Sequence, residues 1–267
     1  MNGKKTLDLR QFKIPLGKLS SVEKFKTRAG DVLSYRTYSA WSENLIILYH
    51  GVGGDSRYMC VLASALAEAG LGTVITPDFR GHGASLGSGD SLSPHQLEID
   101  LEELLIHIKM TRPAARVFLM GHSLGGGFAL RVAVSDLRKQ FAGFVALAPY
   151  LPLELKAFNE GAESWLQWNS DGGFTVQMEE IFRTGAEKLS YSAAYLKAVS
   201  PPAQILEELK RQASPVTVII GRQDEVASAS RQQELFSSVG VKVHLIEGLN
   251  HLTLVSKPDQ ILPFMPE

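Results

Sequence analysis

Val117-Phe118-Leu119-Met120-Gly121-His122-Ser123-Leu124-Gly125 decides how the rest of the chain is understood. Four apolar residues in a row predict a buried strand, and the small, apolar stretch that follows predicts a helix packed closely on a sheet. Between them stands Gly-x-Ser-x-Gly. A hydroxyl is a weak nucleophile unless it is exposed, rigidly held and placed beside a base. A sharp strand-to-helix turn supplies the exposure and rigidity, and its glycines relieve crowding around the turn. The pattern occurs a second time, at Gly83-Ala84-Ser85-Leu86-Gly87, within GHGASLGSGDS. No strand runs directly into that copy, so it is expected to be a loop and Ser85 structural. Ser123 is the candidate nucleophile.

Outward from this turn, short β-rich runs alternate with longer helical patterns, which predicts βαβ units and a mostly parallel sheet. The predicted strands are 22–28, 32–38, 45–49, 73–76, 117–120, 143–147, 216–220 and 241–246. The first two flank Ala29-Gly30-Asp31 and are expected to form an antiparallel hairpin at one edge. Helical periodicity covers 58–69, 94–110, 123–139, 228–239 and 252–262. More than sixty residues separate the strand ending at Leu147 from the one starting at Val216, far beyond an ordinary connection. That stretch carries Tyr150, Phe158, Trp165, Trp168, Phe174, Phe182, Tyr191 and Tyr195. It predicts a helical cap over residues 151–213, inserted in a core formed by residues 1–150 and 214–267. Most of the aromatics are expected to form the cap's own core, with two or three facing a substrate.

Two further groups stand at strand ends. His50-Gly51-Val52-Gly53-Gly54 follows the strand 45–49. Acyl transfer builds negative charge on a carbonyl oxygen, which fixed N–H donors must meet. The expected donors are the backbone N–H groups of Val52 and Leu124. The plain alternatives are a glycine-rich turn or a phosphate loop, and the latter lacks its G-x-x-x-x-G-K-[ST] pattern. Asp224 follows the strand 216–220 and His251 follows the last strand, at the carboxyl ends where open α/β sheets place their sites. The chain order Ser123, Asp224, His251 fits a nucleophile, an orienting acid and a base. Glu225 and Asp78 are rival acids. His50, His82, His95, His107, His122 and His244 each have a stronger structural role: His107 lies mid-helix, His244 within a strand, and His122 is a spacer in the turn.

Composition sets the outer bounds. The chain has 267 residues with 45% hydrophobic and 21% charged residues, an ordinary globular balance. A net charge of -1 gives no global case for nucleic acid. The stretch to Arg28 is locally basic and is expected to be a solvated edge, with contact to an anionic membrane surface as the alternative. Cys60 is the only cysteine, which excludes an intramolecular disulfide and a cysteine-based metal site; it is expected to be a small buried residue. No run approaches the length of a membrane span and no leader is apparent, so a cytoplasmic protein is expected. No metal or organic cofactor is expected from these residues.

HGVGGDS, PDFRGHGAS, GHSLGG, GRQDEV and NHL together resemble the α/β-hydrolase superfamily, across nearly the whole chain. The HGxGG loop, the RGHGxS segment and the moderate cap look like its monoacylglycerol lipase, lysophospholipase and carboxylesterase branch. The resemblance implies an eight-stranded, mostly parallel sheet flanked by helices, with a cap after strand six. It also supports Val52 and Leu124 as oxyanion donors. The implied activity is hydrolysis of a small carboxylic ester with an apolar acyl or aromatic group, through an acyl-enzyme. The alternatives are an aminopeptidase or thioesterase using the same triad, or a non-catalytic ligand-binding receptor. An aminopeptidase of the proline-releasing kind would place cap acids such as Glu154, Glu160, Glu163, Glu179, Glu180 or Glu187 around a substrate amine.

Overall fold

The computed structural model of the chain describes residues 7–12, 14–90, 93–159, 165–212 and 215–266. Eight strands form the main sheet: β1 (Val22–Lys26), β2 (Val32–Tyr38), β3 (Asn44–Tyr49), β4 (Thr73–Pro77), β5 (Arg116–His122), β6 (Gly143–Leu147), β10 (Val216–Gly221) and β11 (Lys242–Ile246). Their spatial order is β1-β2-β4-β3-β5-β6-β10-β11. Only β2 runs against its neighbours; the five pairings from β4 to β11 are parallel. Each predicted strand is present within two residues at either end. Parallel strands need covered faces, and β3 shows how: Leu45, Ile47 and Tyr49 pack into one core cluster, while Ile46 and Leu48 pack into the other.

The first cluster lies under α2 (Gln96–Thr111), α3 (Leu124–Ala133), α4 (Ala193–Val199), α5 (Ile205–Gln212) and α6 (Ala229–Ser237). The second lies under α1 (Cys60–Glu68) and α7 (Thr253–Ser256). Cys60 is buried there, as its apolar surroundings predict. From β3 the chain crosses outward to β4 and then back past β3 to β5. The connections leaving β3 and β5 therefore diverge and open a crevice at their carboxyl ends.

Three helical expectations need correction. The last predicted helix, 252–262, is only α7 followed by short 3₁₀ turns at Pro258–Gln260 and Leu262–Phe264. Pro258 and Pro263 lack the N–H that a continuing α-helix requires. The helix after Ser123 ends at Ala133 and not at Lys139; Ser135 then caps a separate 3₁₀ turn through its bond to the Leu137 N–H. The insertion after β6 is not wholly helical. It contains a small antiparallel sheet, β7 (Leu166–Trp168), β8 (Phe174–Val176) and β9 (Ser190–Tyr191), besides α4 and α5. Phe174-Thr175-Val176 has the β-branched and aromatic character of a strand, and Asp171 accepts the Gly173 N–H in the turn before it.

Candidate active site

Ser123 sits between β5 and α3 with φ 54° and ψ −114°, a backbone state that side-chain-bearing residues seldom adopt. The surrounding backbone over-determines it. The Ser123 N–H donates to the Leu147 carbonyl, and the Ser123 carbonyl accepts from the N–H groups of Gly127 and Tyr150, each at 2.9 Å. The flanking glycines are required by space. A β-carbon on Gly121 would lie 2.1 Å from the Gly125 carbonyl oxygen, and one on Gly125 would lie 2.6 Å from that of Tyr49. This is what holds the β5–α3 turn against β3.

Asp224 and His251 meet at the ends of β10 and β11. The His251 Nδ1–H donates to the Asp224 carboxylate, 2.9 Å from Oδ2 and 3.1 Å from Oδ1. That carboxylate is fully buried and also accepts the Val226 and Ala227 N–H groups at 2.8 and 2.6 Å. Its acceptor capacity is thus largely satisfied. A β-carbon on Gly221 would lie 2.3 Å from the Leu249 carbonyl oxygen, so only glycine lets the acid-bearing and histidine-bearing loops come this close. Glu225, the adjacent rival acid, takes a different part: its Oε2 accepts the His251 backbone N–H at 3.0 Å. Asn250 and Thr253 brace the same loop by exchanging side chain-to-backbone bonds of 2.8 Å. Burial pulls the His251 imidazole toward its neutral form, but the Asp224 charge and hydrogen bond, helped by Glu225, raise its pKa overall.

Ser123 and His251 line a common cavity of about 250 Å³, with Gly51, Val52, Trp165, Val226 and others. A smaller pocket of about 30 Å³ opens from the same two residues, walled by Leu124, Tyr150, Phe158, Trp168 and Phe174. Among the described residues no hydrogen bond links Ser123 Oγ to His251 Nε2; both groups face the cavity they share. The Val52 and Leu124 N–H groups have no protein acceptor among the described residues; Val52 lies in the loop after β3, Leu124 opens α3, and both residues line the smaller pocket with Ser123. Tyr150, Phe158, Trp165, Trp168 and Phe174 line the smaller pocket, and Trp165 lines both cavities. Tyr191 and Tyr195 are fully buried.

The other candidates fall into structural roles. Ser85 is buried, and its hydroxyl accepts the Ser34 N–H. Asp78, the other rival acid, ties the loops together by accepting from Ser34, Ser56 and Ala84. His50 donates from Nδ1 to the Gly51 carbonyl and accepts the Phe79 N–H at Nε2, which fixes its tautomer and holds the glycine loop. His82 donates to the Arg80 carbonyl and accepts from the Tyr191 hydroxyl, whose oxygen accepts the Gly53 N–H at 2.8 Å. The His122 Nε2–H donates to the His251 carbonyl. Burial lowers the pKa of all three imidazoles, that of His122 to about 3. His95 is exposed, His107 lies within α2 and bonds to Tyr35, and His244 stands in β11.

One part of the site went unforeseen. Leu7, Asp8, Leu9 and Phe12 line the larger cavity, although the N-terminal stretch reads as a basic, solvated edge. The available signal was the apolar series Leu7, Leu9, Phe12 and Ile14 threaded between its charges. Of the insertion acids, Glu154, Glu179, Glu180 and Glu187 line neither cavity; Glu160 and Glu163 lie outside the described residues. Among the described residues no cluster of three or more His, Cys, Asp or Glu could hold a metal ion. No helix among them is long and apolar enough to cross a membrane.

Residues 41–258 match the family described as serine aminopeptidase, S33. A monoglyceride lipase homolog of monkeypox virus is 21% identical over 78% of this chain and 81% of its own length. Human monoglyceride lipase is 32% identical, but over 39% of this chain and only 34% of the human protein. The structure also superposes on a soluble variant of the monoglyceride lipase of Saccharomyces cerevisiae, solved with a substrate analog. The TM-score is 0.62 at 16% identity, covering 87% of each chain. That likeness establishes the α/β-hydrolase fold.

Proposed function

The chain belongs to the serine aminopeptidase, S33, family of hydrolases, and from that premise we propose that it is a serine hydrolase cleaving small carboxylic esters. Ser123 attacks the carbonyl while His251 takes its proton. Asp224 holds the imidazole in the Nδ1–H tautomer and stabilises its charged form. The Val52 and Leu124 N–H groups meet the developing oxyanion. His251 returns the proton to the leaving alcohol, an acyl-enzyme forms, and water activated by His251 releases the acid. Residues 151–213 act in this scheme as the inserted cap on a core of 1–150 and 214–267.

The observation that carries the ester reading is the character of the space around Ser123. Apart from Ser123, the two histidines and the already paired Asp8 and Glu225, its lining is apolar and aromatic, as expected of a site for an apolar acyl or aromatic group. The names of the lipase relatives fit the same substrate class. The test is hydrolysis of a 4-nitrophenyl ester panel by wild type and Ser123→Ala. The expected loss of kcat is on the order of 10⁴–10⁶. Wild-type turnover by folded Ser123→Ala would refute the mechanism.

A second reading, release of an amino-terminal residue from an amide, rests on Asp8 and Glu225. Both carboxylates line the larger cavity, where a substrate ammonium could pair with them. Each already has a partner: Arg10 bonds to both oxygens of Asp8, and Glu225 accepts the His251 N–H. We therefore expect esters to exceed the matching aminoacyl 4-nitroanilides in kcat/KM; the reverse order would favour the amide reading.

A further inference from the structure

The N-terminal segment is fastened at three points around the larger cavity. The Leu7 N–H donates to the Gln177 carbonyl at 2.9 Å, tying the segment to the insertion just beyond β8. The Leu7 side chain presses on Gly53, where an added β-carbon would lie 3.0 Å from Leu7 Cδ2. The Phe12 ring packs on Tyr58, with centroids 5.0 Å apart. Between these anchors Leu9 and Phe12 are buried, at 5% and 6% exposure, against Tyr58, Met59 and Leu252. The short 3₁₀ turn Leu9–Phe12 thus spans from the insertion to the elements after β3 and β11.

The two cavities share Val52, Ser123, Trp165, Val226 and His251 and differ in the rest of their walls. The small pocket is completed chiefly by Tyr150, Phe158, Trp168 and Phe174, whereas Leu7, Leu9 and Phe12 line only the large one. Ser123 stands between them. A substrate whose carbonyl is held at Ser123 therefore projects one group into each. The large cavity is close to the lower end of small-molecule sites, and an apolar group gains by filling its hydrophobic wall.

We propose that residues 7–12 are a specificity element, and that Leu7, Leu9 and Phe12 wall a subsite for the larger apolar group of the substrate. Asp8 belongs to the rim: Arg10 grips its carboxylate at 2.8 and 2.7 Å, which lowers its pKa and keeps it ionised beside the cavity. The subsite consequently offers apolar side chains to the substrate, with the charge of Asp8 balanced by Arg10. The proposal rests on Ser123 being the reactive centre, and it deepens the ester reading by assigning where chain length is sensed.

The test uses the full chain with Leu9→Ala and Phe12→Ala, and Leu9→Met and Phe12→Leu as milder variants that keep the core filled. Kinetics are read on two series: acyl chains of increasing length on one alcohol, and alcohols of increasing size on one acid. One series should change its ratio of longest to shortest kcat/KM by about tenfold or more, the scale of discrimination for a methylene-sized change in an apolar pocket. The change should come through KM. Binding of n-alkanols, hexanol to decanol, followed by tryptophan fluorescence, tests the subsite without any reaction, because Trp165 lines the cavity. Decanol should bind wild type more tightly than hexanol, and the Leu9 and Phe12 variants should flatten that difference. Unchanged ratios in both series together with unchanged alkanol binding in folded variants would overturn the proposal. Altered alkanol binding in a protein that hydrolyses no ester would leave the subsite standing and refute the ester reading alone.

Discussion

Ser123 is held in an unfavourable backbone state by three backbone hydrogen bonds and by two glycines that leave no room for a β-carbon. That arrangement predicts how single substitutions behave. Gly125→Ala drives a methyl group against the Tyr49 and His50 carbonyls at 2.6 and 2.7 Å. Backbone must then move, so the variant should lose about 1–3 kcal/mol of stability in urea denaturation and most of its turnover. Asp224→Asn removes the carboxylate that keeps the His251 proton on Nδ1; turnover should fall about 10⁴-fold. The wild-type rate should fall on the acid side with a pKa above the ordinary histidine value, because His251 must be neutral to act as base and Asp224 favours its charged form. In Asp224→Asn the residual activity should keep its acid limb at lower pH. A pH–rate profile of kcat/KM measures both.

The elements holding these residues differ in how far the sequence revealed them. Tyr191 on β9 joins the stretch after β6 to the loops after β3 and β4: its hydroxyl accepts the Gly53 N–H and donates to buried His82. Tyr191→Phe leaves both groups without that partner and should cost about 1–3 kcal/mol. Its kcat should fall as the adjacent Val52, the proposed oxyanion donor, loosens, whereas Tyr195→Phe leaves the Gly53 bond in place; urea melts and steady-state kinetics distinguish the two. No local pattern around Tyr191 announces this contact, since Gly53 lies 138 positions away. The parallel strands were legible because continuous apolar runs such as Leu45–Tyr49 serve both faces of the sheet. The candidates Ser123 and Asp224 could be singled out because each follows such a strand, whereas His251 follows the half-exposed β11 and was placed by its position at a strand end. The short strands β7, β8 and β9 were not, because two or three residues carry too little periodicity to separate them from a helical cap. In the N-terminal segment the basic side chains Arg10, Lys18, Lys24, Lys26 and Arg28 are exposed as expected, but the places of Leu7, Leu9 and Phe12 are set by contacts made across the molecule and could not be read locally.

Across the whole molecule, the two core clusters fix the sheet, and the loops at one sheet end meet through buried imidazoles. His50, His82 and His122 all have depressed pKa values because folding removes them from water. For such groups the stabilising preference for the neutral form is fully present above the unfolded value, about 6.5, and fades as pH falls toward the folded value. For His122 that window extends down to about 3. His251 acts in the opposite sense, since its raised pKa favours the folded state below the unfolded value and loses that contribution as pH rises through the folded one. His244 is also depressed by burial, so with four imidazoles against one, thermal midpoints should fall steadily below about pH 6.5, where the histidines of the unfolded chain take up protons. The central claim, that this fold presents Ser123 and no other residue as an activated nucleophile, is tested most directly by reacting the folded protein with an alkyl fluorophosphonate and mapping the adduct by peptide mass spectrometry. The account predicts one phosphonyl group on the peptide containing Ser123, absent after Ser123→Ala. An adduct on Ser85 or another serine, or no reaction by the folded wild type, would contradict it.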